Sequence, residues 1–411
     1  MKICLVHNSY EQRGGEDVVF EQESANLKRW GHDVIAYHRS NTEIVTHSPL
    51  AQISLLKESI WSTNSRNEFS ELLDREAPDI VHVHNTFFVI SPSIYSACKA
   101  RGIPVVQTLH NFRLLCPAYS LYRDGRVCEE CIDESLWAGI RHGCYRGSKA
   151  ATAGLALILS AHRLMKTWDS RIDCYIALTE FARAKFISAG FQPDKIVVKP
   201  NFVGTDPGER TKPGAYALYA GRLSPEKGID ALLRAWKLLP PQIPLQIIGD
   251  GPERPGLETQ VRQQQIANVT FRGPLTREQT VAAMKEARFL VVPSVWYEGF
   301  PMVIAEAMAC GIPIVCSRLG AMEEIVADQR TGLLFNPGDA KDLAQKAAWA
   351  WTHPAKTAEM GRAAREEYER RYTPENNYFS LIEIYGRVLD GMIASPCPSA
   401  GKRQIPALIS H

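Results

Sequence analysis

At 411 residues the chain exceeds one ordinary domain, so two are expected. Its 45% hydrophobic and 22% charged residues describe a globular protein with ample core material, and no run is apolar for long enough to span a bilayer. The 47 basic and 45 acidic residues leave a formal charge of +2, which excludes nucleic-acid binding driven by bulk charge.

Met1-Lys-Ile-Cys-Leu-Val-His7 reads as a first strand and lacks the long apolar region of a signal peptide. With ten cysteines, it predicts a reducing cytoplasm, where thiols stay free or bind metal. Short β-rich runs then alternate with helical ones, the pattern of a parallel sheet covered by helices. Strands are expected at Lys2–His7, Asp33–His38, Asp79–His84, Pro104–His110, Asp173–Leu178 and Lys195–Lys199. Helices fall between them, at Asp17–Trp30 and Glu180–Ala189 among others. Pro207–Gly214 breaks the pattern and predicts a linker. A second array follows, with strands at Tyr216–Ala220, Leu245–Ile248, Val269–Arg272, Phe289–Pro293 and Ile314–Cys316. Its helices include Ile229–Leu239 and Arg277–Ala287. Pro374–Leu389 carries Tyr378, Leu381, Ile382, Tyr385 and Leu389 on one helical face, and the Pro- and Ser-containing tail from Ser395 is expected to be disordered. The fold class is therefore α/β, two doubly wound domains with a site in the cleft at the carboxyl ends of their strands.

Several motifs lie on that edge. Arg13-Gly-Gly-Glu-Asp17 joins the first strand to the first helix; Gly14 and Gly15 either admit a ligand close to the backbone or form a plain turn. His110 ends a strand and points at the cleft, a position for catalysis or ligand orientation. His82 and His84 share one face of a neighbouring strand and are read as structural. Gly221-Arg-Leu-Ser-Pro-Glu-Lys-Gly228 follows a strand directly, and Arg222 with Lys227 suits a phosphate clamp better than a solvated turn. Gly249-Asp-Gly-Pro252 and Gly273-Pro274 supply further turns that look like walls of a shallow pocket; no dinucleotide fingerprint or P-loop is present. Glu298-Gly-Phe-Pro-Met-Val-Ile-Ala-Glu306 brackets an apolar run with two carboxylates, and Pro301 suits the first turn of a helix. That helix reads as apolar all round, so Glu306 demands a polar partner.

Cys116, Cys128, Cys131 and Cys144 are spaced C-x11-C-x2-C-x12-C, compatible with structural zinc stapling a loop poor in apolar residues; free thiols are the plain alternative. Arg141–Arg146 and Lys149 precede the apolar stretch Ala150–Ala161, read as a core helix ahead of a membrane contact.

Taken in order, the 221–228, 249–252 and 298–306 motifs and Thr331-Gly-Leu-Leu334, with Gly14-Gly15 and Thr108-Leu-His110, resemble the retaining glycosyltransferases of family 4 over nearly the whole chain. The resemblance implies a GT-B fold with two Rossmann-like domains, a UDP- or GDP-sugar donor, and no cofactor or metal for catalysis. It implies that Arg222 and Lys227 bind the donor diphosphate, Glu298 meets the donor sugar and Glu306 takes the ribose hydroxyls. His110 would line the sugar site and Gly15 would approach the phosphates. Gly14, Gly249, Gly251, Gly299, Phe300, Pro301, Met302 and Val303 complete the implied donor set. The implied acceptor is a glycan or a lipid-linked molecule, in cell-surface polysaccharide or glycoconjugate synthesis at the inner face of the membrane. An epimerase or phosphorylase on the same fold is the alternative enzyme, and a silent scaffold the non-enzymatic one. The expected division is 1–205, with a Cys-rich insertion at 111–149, linker 206–214, and 215–373. A helix at 374–393 returns to the first domain, and 394–411 is the tail.

Overall fold

A computed structural model describes residues 1–44 and 49–392; the expected tail lies outside them. The first sheet holds β1 (Lys2–Ser9), β2 (Asp33–Ser40), β3 (Ile80–Val83), β4 (Val105–Leu109), β7 (Cys174–Ala177) and β8 (Ile196–Val198). Its spatial order is β2-β1-β3-β4-β7-β8, and every pairing is parallel. Between β4 and β7 a small antiparallel hairpin, β5 (Tyr122–Arg123) and β6 (Arg126–Val127), stands apart. The second sheet holds β9 (Tyr216–Ala220), β10 (Leu245–Ile248), β11 (Val269–Gly273), β12 (Ala287–Val292), β13 (Ile314–Ser317) and β14 (Gly332–Phe335), ordered β11-β10-β9-β12-β13-β14 and again all parallel.

Helices on both faces explain why central strands such as Ile80-Val-His-Val83 are buried at every position. β14 escapes the sequence pattern because Gly332-Leu-Leu-Phe335 is short and opens on a turn signal. Glycine is needed there for approach, since a Cβ on Gly332 would stand 2.0 Å from the carbonyl oxygen of Ile314.

The terminal helix Pro374–Leu389 packs on the first sheet with four residues of the expected stripe, Tyr378, Leu381, Ile382 and Tyr385, and departs from it at Leu389. Leu381, Ile384, Tyr385 and Val388 are buried against Ile3, Leu5, Ile80 and Ile176, whereas Leu389 is 43% exposed. The Tyr385 hydroxyl meets Nδ1 of His82 at 2.7 Å. The expected 150–161 segment is the helix Lys149–Leu164, with Leu155, Ile158 and Leu159 in the core but Leu157 and Leu164 left exposed.

Candidate active site

In each sheet the connections reverse direction beside the first strand, between β1 and β3 and between β9 and β12. A crevice opens at such a point outside the carboxyl ends. The loops leaving β9 and β12 carry the 221–228 and 298–306 motifs; those leaving β1 and β4 carry Gly14-Gly15 and His110.

The two loops of the second sheet are stitched together. Val295 N–H donates to the Glu226 carbonyl at 2.9 Å, and Gly228, at φ +68°, sits where a Cβ would fall 2.1 Å from the Pro293 carbonyl. This brings Lys227 to Glu298, Nζ to Oε1 at 2.7 Å, while Ser294 Oγ donates to the same oxygen at 2.6 Å. Burial would raise the Glu298 carboxyl; the Lys227 charge and the hydrogen bonds from Lys227 and Ser294 overcome it and hold the group below its usual range. Arg222 is exposed, with no side-chain partner among the described residues.

The helix after Glu298 runs Met302–Ala309, with Pro301 as its N-cap, so it starts one residue later than expected. Nor is it buried all round. Ile304, Ala305 and Ala307–Ala309 are buried, but Met302, Val303 and Glu306 form a half-open stripe. Burial raises the Glu306 carboxyl, partly countered by Arg277, whose Nε lies 3.9 Å away. Phe300 turns its ring into the core against Tyr372. Gly249 and Gly251 are demanded by packing: a Cβ on either would strike the carbonyl of Gly221 or Leu223 at 1.9 or 2.3 Å. Gly299 approaches the other domain, where a Cβ would stand 2.3 Å from the His110 carbonyl oxygen. The Glu298 loop and His110 thus meet across the cleft.

On the first sheet, Gly14 caps the helix Gly15–Arg29, its N–H bound by Asp17 at 2.7 Å, and a Cβ on Gly15 would meet nothing within 4 Å. His110 Nε2 lies 2.9 Å from His84 Nδ1, and His84 Nε2 lies 3.2 Å from Glu23 Oε2. Glu23 is buried and receives Lys199 Nζ at 2.8 Å. Burial would raise its carboxyl; Lys199 and the two imidazoles of His82 and His84 instead hold it well below the usual range. An ionised Glu23 favours the proton of His84 on Nε2, making Nδ1 an acceptor for His110 Nε2–H. Burial and the neighbouring His84 push His110 well below its ordinary pKa, so it is a neutral imidazole.

Glu16 lies beside this group, bound by Asn111 at 3.2 Å through Oε2, while its Oε1 is buried without a partner. Burial first and Asp17 second raise its carboxyl to about 8. A raised carboxyl costs stability as pH climbs from its unfolded value of 4.5 towards 8. Glu16→Gln is therefore expected to melt like the wild type near pH 4 and to gain roughly 2–4 kcal/mol by pH 8. A melting difference that stays flat with pH would refute a buried protonated Glu16.

Two family models match: Glycosyltransferase Family 4 over residues 13–207 and Glycosyl transferases group 1 over residues 206–367. Glycogen synthase from Mycobacterium tuberculosis is 35% identical over 320 residues, 75% of this chain and 68% of its own length. The chain belongs to the group 1 glycosyltransferases. An uncharacterized glycosyltransferase of Methanocaldococcus jannaschii is 29% identical over 175 residues, 43% of this chain and 49% of its own. This glycosyltransferase spans about half the length of several curated relatives it matches, at 49%, 41% and 54%. The crystal structure of Anabaena HepE in complex with UDP shares its GT-B fold, with TM-score 0.66 and 20% identity over 94% of this chain and 100% of that one.

Sequence reasoning missed three features of this glycosyltransferase. Glu23 and Lys199 lie 176 positions apart, and only the tertiary fold pairs them. Glu324 of the second domain accepts the N–H groups of Glu180 and Phe181 at 2.9 Å each, capping a helix of the first. Glu129 joins Lys185, at 2.6 and 2.7 Å, to the Tyr297 hydroxyl at 2.7 Å, one residue before Glu298. A carboxylate between two cysteines of a C-x2-C pair carries no signal for such a bridge.

Proposed function

We propose that this enzyme transfers a hexosyl unit from a nucleoside diphosphate sugar to a glycan or lipid-linked acceptor, with retention and without a catalytic metal. One observation carries the reading: Lys227 pairs with Glu298, and the next residue, Gly299, comes up against the His110 carbonyl of the first domain. Departure of a nucleoside diphosphate builds negative charge between the phosphates. Arg222, Lys227 and the free N–H groups at the start of the Met302–Ala309 helix meet it without a metal. Glu306 accepts the ribose hydroxyls, which relieves its partly desolvated carboxylate. Glu298, held ionised, orients the sugar, and neutral His110 lines it from the opposite wall. If the acceptor attacks on the face that the diphosphate vacates, the leaving phosphate takes its proton and no enzyme base is needed.

HepE was crystallised with UDP, which favours testing uridine nucleotides first. The two family models meet at 206–207, which supports the division into 1–205, linker 206–214 and 215–373. Exposed Trp137, Leu157 and Leu164 near Arg163 and Lys166 support a peripheral membrane contact and a lipid-linked acceptor in cell-surface polysaccharide synthesis. A melting screen with UDP-, GDP- and ADP-sugars is expected to single out one base. A ligand at about 100 times its Kd stabilises by about 2.7 kcal/mol. If no nucleotide sugar moves the transition, the donor site is wrongly placed.

A further inference from the structure

The insertion between β4 and β7 holds four thiols that the donor site does not use. β5 and β6 are two residues each, and the helices Glu130–Asp133 and Leu136–His142 have four and seven. Elements this short do not hold themselves in place. Yet Cys116, Cys128, Cys131 and Cys144 line one cavity of about 10 Å³, and none is in a disulfide. That volume is about one water-sized sphere, room for a single ion.

The chain converges on the cavity by specific devices. Asp124 and Gly125, both at positive φ, turn the hairpin and deliver Cys128, whose N–H donates to the Leu121 carbonyl at 2.8 Å. Gly143, at φ +62°, ends its helix so that Cys144 folds back, its N–H on the Gly139 carbonyl at 3.2 Å. A Cβ on Gly139 would come within 3.3 Å of Cys131 Sγ, so the small residue keeps the cavity open. Arg123 and Glu130 also line the cavity and are paired with each other, Nη1 to Oε2 at 3.0 Å.

We propose that Cys116, Cys128, Cys131 and Cys144 form a closed tetrahedral site for one zinc ion. All four ligands come from the protein, so the site is structural. Binding releases the thiol protons and ties the insertion into one unit. The knuckle between Cys128 and Cys131 carries Glu129, the residue that joins Lys185 to Tyr297 across the cleft. The ion thereby fixes the acceptor-side insertion against the donor loop.

The full chain, purified under reducing conditions and desalted, is expected to contain about one zinc per molecule, released as a mercurial titrates about four thiols. Cobalt exchanged into it should show thiolate charge-transfer and tetrahedral d–d bands. Cys128 and Cys144 are only half-buried, so Cys128→Ser and Cys144→Ser should fold, as circular dichroism checks, yet bind zinc at least 10- to 100-fold more weakly. In both, trypsin should cut between 116 and 144, where the wild type resists. Zinc-free wild type that stays metal-free after dialysis against zinc, or mass spectrometry showing two disulfides, would overturn the site. So would zinc retained in the Cys128→Ser/Cys144→Ser double variant but lost on His84→Gln, which would move the ion to the buried Glu23–His82–His84 cluster.

Discussion

Arg222→Ala is expected to lower kcat/KM about 100- to 1,000-fold, the loss typical of removing one fixed donor from a developing anion. The melting temperature should hardly move, because the side chain is exposed and pairs with nothing among the described residues. Lys227→Ala should behave differently. It removes a phosphate cation and also strands Glu298, 6% exposed, with Ser294 as its remaining strong donor. Breaking a fully buried pair costs about 3–5 kcal/mol; Lys227 is 23% exposed, so about 1–3 kcal/mol is expected here. The pH dependence carries the same sign. Glu298 is depressed in the folded state, so its contribution is present at neutral pH and lost as pH falls through the folded value. Without Lys227 that loss should begin at higher pH. Adding Glu298→Gln to Lys227→Ala should restore stability but not turnover. Undiminished transfer by Arg222→Ala would remove the phosphate clamp from the mechanism.

What the sequence made legible follows from the range over which each signal acts. Strand and helix patterns are local, so eleven of the twelve main strands are readable; β14 is lost because four residues beginning with glycine give no period. The order of β9 and β12 is not local, yet it puts the 221–228 and 298–306 motifs side by side. Each motif could be read on its own, but the 2.7 Å contact between Lys227 and Glu298 could not. The helix Met302–Ala309 was misjudged because its composition hides its half-open stripe. Methionine and valine read as core residues, but here they stand beside Glu306 at the crevice. The close approaches that need glycine are equally hidden in the sequence. Gly249 and Gly251 serve backbone packing against the 221–223 turn, whereas Gly299 lets two domains touch.

Lys199→Met is expected to be the most destabilising change behind the site. Lys199 and Glu23 have side chains 2% and 1% exposed, so removing the cation leaves a carboxylate in the core with only imidazoles near it. Such a loss costs about 3–5 kcal/mol, or about 10 °C in the unfolding of a domain this size. Acid should narrow the gap. Glu23 is strongly depressed in the wild type, so its stabilisation is present at neutral pH and fades as pH falls towards the folded value. The double variant Glu23→Gln/Lys199→Met removes both charges and should recover most of the melting temperature. Its turnover discriminates between two roles. If Glu23 only packs the core, kcat returns with stability. If Glu23 sets the His84 proton on Nε2 and so fixes His110, then kcat stays low in a well-folded protein and its pH profile shifts. A double variant with full stability and full kcat would reduce the network to structure; a stable but slow one makes Glu23 a positioning residue for His110.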